Sequence, residues 1–432
     1  MASQAEPRLT GEAALAIVDP ANYVDWDGLL DQFDRIRRNT PVVRVVNDEI
    51  HDPFWLVTSY DDVMQVSKDN KLFLNSPRSV TFSDKNSGAF VRSITGGDPN
   101  LVRSLVALDA PTHPKYRRLT QDWFMPKNIR KMEDEIRALA RTTVDRLVDA
   151  GGEADFVPLV SAPYPLHVVM QILGVPEADE QRMLFLTQQM FGGQDEDLNK
   201  SGMANMTPEQ VMQLVVGAVA DFEAYFAKLT EEKRANPTED VASVIANAKV
   251  DGAHLSDRDM AGYYIILAAA GHDTTSASTA GAMLALARDP EQFARLKADR
   301  DLLPGIVEEA IRWTTPVQHF MRTAAEDTEL GGQKIAKDDW LMISYIAANH
   351  DDSIFPDPRK FDASRSPNRH IAFGAGSHQC LGLHMARMEM KILFNELLDR
   401  IETLELAGEP MRAKSTFVGG LKTLPIRYSL SK

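Results

Sequence analysis

Between Ser256 and Arg288 the chain carries a helical pattern that is apolar on nearly every face. A helix with no polar side cannot lie on a surface, so this segment must cross the middle of the protein with other elements wrapped round it. Ser256 with Asp259 makes a capping box at its start, and Asp289-Pro290 stops it. That leaves roughly 33 residues and ~50 Å of continuous rod. Such a rod needs a large shell. The 432 residues amount to one large compact fold or about three average domains.

The shell reads as mostly helical. Apolar residues recur three and four apart over Met132 to Val148 and Pro208 to Leu229, the helical period. Further helices are expected over Leu302 to Trp313 and Gly382 to Ile401. Strand signals are short: Pro53 to Thr58, followed by a helical pattern opening at Tyr60, then Phe320 to Ala325 and Trp340 to Ile346. Phe355 to Arg369 is irregular and proline-rich, and the polar run Gly192 to Ser201 reads as a mobile loop without chemistry of its own. There is no internal repeat and no Ser/Gly linker. The expectation is one mainly α domain with a smaller β region, mixed strand and helix to about residue 105 and helical with minor sheet over 106–432.

Composition removes several classes. The balance of 47 basic and 62 acidic residues leaves a net charge of −15, so no nucleic-acid-binding face is expected. The longest apolar run, Gly262 to Gly271, is about half a bilayer span, and the N-terminal stretch has neither a basic region nor a long apolar core. A cytoplasmic monomer without a membrane anchor is expected. A single cysteine, Cys380, cannot form an internal disulfide or a thiol cluster. It can ligate a metal, act as a nucleophile or sit inert in the core.

Its surroundings narrow the choice. In Phe373-Gly374-Ala375-Gly376-Ser377-His378-Gln379-Cys380-Leu381-Gly382, two glycines let the backbone pass close to a bulky flat group, and a helix begins at Gly382. Backbone N–H groups at that helix start favour thiolate over thiol. Gln379 replaces the third glycine of a dinucleotide fingerprint, and G-x-S-x-G is absent. A zinc site from His378, Cys380 and His384 lacks the second ligand pair such sites show. In the interior of the central helix, Ala270-Gly271-His272-Asp273-Thr274-Thr275 sets a glycine, an acid and two threonines, all costly there unless they serve a purpose. Two readings stay open from the helix alone. One is a functional break against a flat ligand. The other is threonine bonding back to a carbonyl four residues earlier, with Asp273 in a structural ion pair.

The cysteine loop resembles the heme-binding loop of cytochromes P450, F-G-x-G-x-H-x-C-L-G, without a departure, and the helix motif resembles that family's [AG]-G-x-[DE]-T. The resemblance implies a single-domain P450 fold, a triangular helical prism enclosing heme b. Cys380 would be the thiolate ligand of the iron, with Phe373 beside it and His378 on a propionate. Thr274 and Asp273 would handle oxygen activation and its protons. Glu309-Ala310-Ile311-Arg312 resembles E-x-x-R, implying a structural core pair joined by Arg365. Asp109 to Arg117 resembles D-x-P-x-H-x-x-x-R, which assigns His113 and Arg117 to the propionates with Arg322. The remaining histidines, including His272 and His319, receive no role.

The resemblance runs along essentially the whole chain and looks nearest to the terpineol-hydroxylating subgroup, with Tyr164 to Met170, Asp122 to Pro126 and Arg312 to Thr323 particularly similar. It implies a monooxygenase that uses O2 and electrons from a 2Fe-2S ferredoxin and its reductase. By position, the substrate pocket would draw on Phe82, Phe90, Ile94, Ile266, Ala270, Val317, Phe320, Phe417 and Val418. These are apolar and favour a compact hydrocarbon-like molecule: a monoterpenoid, an alkylbenzene or another aromatic. Lys115, Arg117, Arg118, Lys127, Arg130 and Lys131 form a basic cluster suited to an acidic ferredoxin, or an ordinary solvated face. Non-hydroxylating heme-thiolate chemistry and a heme-binding sensor are the alternatives.

Overall fold

The computed structural model describes residues 6–191, 194–195, 197 and 206–431. Its largest sheet is mixed and six-stranded, in the order Arg8–Leu9, Val42–Val45, Phe54–Val57, Trp340–Ser344, His319–Ala324, Phe73–Leu74. Phe54–Val57 lies antiparallel to Val42–Val45, with Val42 opposite Val57, and parallel to Trp340–Ser344, with Trp340 opposite Phe54. Successive strand side chains point to opposite faces. Phe54 and Leu56 accordingly join a cluster with Phe33, Met321 and Trp340, while Trp55 and Val57 join another with Val66, Tyr345 and Phe355. Covering on both faces explains why this strand is an unbroken apolar run. Two of the six strands come from beyond residue 300, so the N-terminal mixed region shares its sheet with the C-terminal half.

The helical remainder packs round one large apolar cluster. Glu133–Asp149, Pro163–Ile172, Leu303–Thr314 and Leu383–Arg400 all contribute to it. The expected central rod is present but is not continuous: it consists of helices Asp257–Ala270 and Asp273–Arg288, interrupted at Gly271 and His272. Every residue from Thr275 to Ala287 is buried. Ser256 caps the first helix through its hydroxyl, which accepts the Asp259 N–H at 3.1 Å. Asp259 returns its carboxylate to the Ser256 hydroxyl rather than to the backbone, at 2.8 Å.

Of the polar run Gly192 to Ser201, Gln194, Asp195 and Asp197 are described and the rest lies outside the described residues. Those three are tied down. Gln194 accepts the Thr416 N–H, Asp195 accepts the Lys414 N–H, and Lys422 pairs with both aspartates. Among the described residues no single helix is long and apolar enough to cross a membrane.

Candidate active site

The loop before Cys380 closes on itself. The Cys380 N–H donates to the Phe373 carbonyl at 2.8 Å, and the Gly374 N–H donates to that of Ile371 at 2.8 Å. Gly374 and Gly376 have φ of +68° and +73°, the left-handed region that side chains avoid. A Cβ on Gly376 would fall 2.7 Å from the Ser67 carbonyl. Its smallness therefore serves contact with helix Tyr60–Lys68, not with a ligand. The Gly382 N–H, Arg117 and Arg387 all favour the Cys380 thiolate, yet burial outweighs them and raises the thiol pKa. The expected pull of the helix start toward thiolate is therefore present, with burial opposing it.

Cys380 lies on the wall of a cavity that the broken helix also lines, through Ile266, Ala270, Gly271 and Thr274. The break is stabilised by side chains. Carbonyls that lose their intrahelical partners need other donors. The Thr274 hydroxyl donates to the Ala270 carbonyl at 3.0 Å, Thr275 to Gly271 at 3.2 Å, and His272 Nδ1 to Ala268 at 3.1 Å. Only glycine fits at the break: a Cβ on Gly271 would fall 2.6 Å from Val169 Cγ2. Threonine back-bonding and an Asp273 ion pair with His272 at 3.0 Å are therefore both present. Thr274 nonetheless lines the cavity, whereas Asp273 does not.

One end of the cavity gathers His113, Arg117, Arg322 and His378. Neither arginine has a carboxylate within ion-pairing distance among the described residues; Arg322 donates only to the Met321 carbonyl, at 2.8 Å. Burial lowers the pKa of both guanidiniums. His113 and His378 are lowered to about 4 and about 2, by burial first and then by the neighbouring arginines and, for His378, the His113 ring. Their Nε2 atoms are buried without hydrogen-bond partners. Two arginines without a carboxylate partner and two histidines with an unpartnered Nε2 form a cradle for anionic oxygens.

Glu309 and Arg312 are fully buried and bidentate, Arg312 Nη2 and Nε meeting the two carboxylate oxygens at 2.7 and 2.8 Å. Arg365 adds a contact at 3.1 Å and Asn368 one at 3.0 Å. None of these four lines the cavity.

The substrate candidates divide. Ile266, Ala270, Val317 and Phe320 line the cavity. Phe417 packs on Phe320 at 5.5 Å between ring centroids, and Val418 bridges Val317, so both stand behind the wall. Phe82 is elsewhere: its ring stacks on Trp340 at 6.1 Å and edges Phe54 at 5.7 Å, which makes it part of the sheet's core. Phe90 and Ile94 belong to helix Lys85–Thr95, which buries no residue, and Ile94 is 46% exposed. Nothing in local spacing separates a pocket aromatic from a core one.

Sequence reasoning passed over Tyr263, Tyr345 and Glu389, all on the cavity wall. Glu389 was findable as an acid on an apolar helix face. Its carboxyl is buried, one oxygen lacks a partner, and burial raises its pKa well above the usual value. Arg387 stacks on Phe373 at 4.6 Å and pairs with Glu308 at 2.5 Å. His319 is a neutral structural ring, its Nδ1 donating to the Thr416 carbonyl at 2.9 Å and its Nε2 accepting the Phe82 N–H at 3.4 Å.

The basic cluster also divides. Arg117 is in the cavity and Lys115 pairs with Asp251 at 2.5 Å. Arg118, Lys127, Arg130 and Lys131 are exposed. Helix Pro126–Ile129 packs against Leu383–Arg400, the helix that follows Cys380.

A family-wide profile for cytochrome P450 matches residues 51–430. Cytochrome P450-terp of a Pseudomonas species is 44% identical over 96% of this chain and 97% of its own length. Linalool 8-monooxygenase of Pseudomonas putida is 32% identical over 92% and 94%. The crystal structure of CYP108D1 from Novosphingobium aromaticivorans superposes with a TM-score of 0.92 at 63% identity, covering 98% of this chain and 100% of that one.

Proposed function

The chain belongs to the cytochrome P450 family and is a heme-thiolate monooxygenase, and we propose that it hydroxylates a compact apolar substrate, a monoterpenoid or alkylbenzene, with electrons from a 2Fe-2S ferredoxin. Heme b is the family's cofactor, and the residues present suit it. Cys380 would be the thiolate ligand in this reading, and His113, Arg117, Arg322 and His378, none of them paired with a carboxylate among the described residues, would receive the two propionates. Bound there, the heme supplies O2 activation and oxygen insertion into a C–H bond.

The chain's own groups do the rest. Ile266, Ala270, Val317 and Phe320 orient substrate and exclude water. The Thr274 hydroxyl presents a proton donor to the cavity, and Asp273, half-exposed at the helix break, exchanges protons with solvent. The observation that carries the substrate class is the apolar set of Ile266, Leu267, Ala270, Val317 and Phe320 on the cavity wall. Similarity to relatives named for linalool and terp supports the same class. A hydroxyl at the cavity wall favours hydroxylation over a sensor role.

Titrating the ferric enzyme with monoterpene alcohols, alkylbenzenes, fatty acids and steroids tests the proposal. A low- to high-spin shift at micromolar concentrations with the first two classes is expected; a shift with only the latter two overturns it. Exposed Arg118, Lys127, Arg130 and Lys131 support docking of an acidic ferredoxin. Heme reduction by such a ferredoxin should then slow as salt rises, and a salt-indifferent rate removes the docking claim.

A further inference from the structure

A second cavity, of about 580 Å³, shares no lining residue with the one that Cys380 lines. Four elements distant in the chain converge on it. Trp26 opens helix Trp26–Asn39, Arg288 ends helix Asp273–Arg288, Trp313 lies in helix Leu303–Thr314, and Arg412 ends strand Met411–Arg412.

Five cations and four aspartates line this cavity. Two of the cations are engaged, Arg359 by Asp31 and Asp34 at 2.6 and 2.7 Å, and Lys422 by Asp195 and Asp197. Asp25 accepts the Gly28 N–H at 3.1 Å. Arg288, Arg412 and Lys414 have no carboxylate within ion-pairing distance among the described residues. The Arg412 guanidinium lies over the Trp26 ring, 4.1 Å from its centroid. A ring face attracts the charge but accepts none of the five N–H donors, and no acceptor among the described residues meets them. Burial and then Arg288 weaken its charged form, lowering its pKa to about 10, and Asp27 offsets them only in part. An anion between the two guanidiniums would supply the missing acceptors and remove their repulsion.

We propose that this cavity binds a small organic monocarboxylate, its head in the fork of Arg412 and facing Arg288, its apolar body against Trp26, Leu284, Trp313 and Leu421. A planar carboxylate matches a guanidinium through two parallel hydrogen bonds. Aspartates on the same walls disfavour a dianion, and a bare inorganic ion leaves the apolar surface uncovered. Val24 and Met411 add to that surface, being 46% and 48% exposed while they line the cavity.

Calorimetric titration of the ferric holoenzyme with 4-phenylbutyrate tests this, with 4-phenylimidazole filling the Cys380 cavity. Saturable one-site binding below ~1 mM is expected, with the heme spectrum unchanged. Arg412→Gln should weaken it about 10- to 100-fold, the worth of a charge-assisted contact. The alcohol 4-phenylbutanol and inorganic phosphate should each bind at least about tenfold more weakly than the acid. Absence of saturable binding, equal affinity for the alcohol or for phosphate, or displacement of 4-phenylimidazole overturns the proposal. Arg288→Gln, at an exposed helix end, covers the case in which Arg412→Gln does not fold. It should weaken binding of the acid severalfold, and an unchanged affinity in either folded variant overturns the site.

Discussion

The rings of His113 and His378 face one another with centroids 4.0 Å apart and an interplanar angle of 31°, and neither Nε2 has a hydrogen-bond partner. Two histidines crowded together beside two arginines destabilise one another's charged forms. Burial is the first cause of their depressed pKa values, about 4 and about 2, with Arg117 adding to both and His113 and Arg322 adding at His378. An anion inserted among them relieves the crowding and satisfies all four groups.

Arg322→Met and His378→Ala should therefore release heme faster while leaving the apoprotein fold unharmed. A charge-assisted hydrogen bond contributes ~1.5–3 kcal/mol, so transfer of heme to apomyoglobin should accelerate roughly 10- to 100-fold.

Arg312→Ala should be far more damaging to the fold. It leaves Glu309 buried with its bidentate partner gone, and breaking a buried pair from one side costs about 3–5 kcal/mol. Arg365 and Asn368 still touch the carboxylate but do not replace the fork. Urea unfolding should show the loss, and the fraction of protein giving the red-shifted carbon monoxide band should fall with it.

Thr274→Ala should separate binding from chemistry. The substrate-induced spin shift should persist, because the apolar wall is intact, while product per NADH falls at least about tenfold and peroxide accumulates. Thr274→Ser retains the hydroxyl and should recover most of the coupling.

Glu389 sets a pH dependence of definite sign. Its folded pKa is raised above the unfolded value, through burial, so its neutral form suits the fold. Its stability contribution is complete below the unfolded pKa and is lost as pH rises through the folded one. Glu389→Gln, which is neutral throughout, should raise the melting temperature at pH 7.5 and bring little change at pH 5. Calorimetry at the two values checks this.

Features written within a few residues of chain were legible before any fold was known. The Cys380 loop, Gly271 to Thr275 and Glu309 to Arg312 each carry their meaning in spacing, and the structure brings the first two to one cavity. Phe82 packs on Trp340, and spacing does not show this because an aromatic side chain on a loop looks the same whether it faces a pocket or a tryptophan. The uninterrupted rod was misjudged for a related reason. The apolar pattern over Ser256 to Arg288 suits one helix, and the side chains of His272, Thr274 and Thr275 that take up the carbonyls of Ala268, Ala270 and Gly271 are seen only in the folded chain.

The sequence by itself determined the fold class, the single cysteine and the family it serves, because periodicity and local motifs are properties of neighbouring residues. Tertiary structure decided which apolar residues form the pocket, and that Arg117 belongs to the cavity and its basic neighbours to the surface. Those outcomes depend on burial and on distances between segments far apart in the chain. Desolvation and Coulomb interactions act through space, and spacing along the backbone does not encode them.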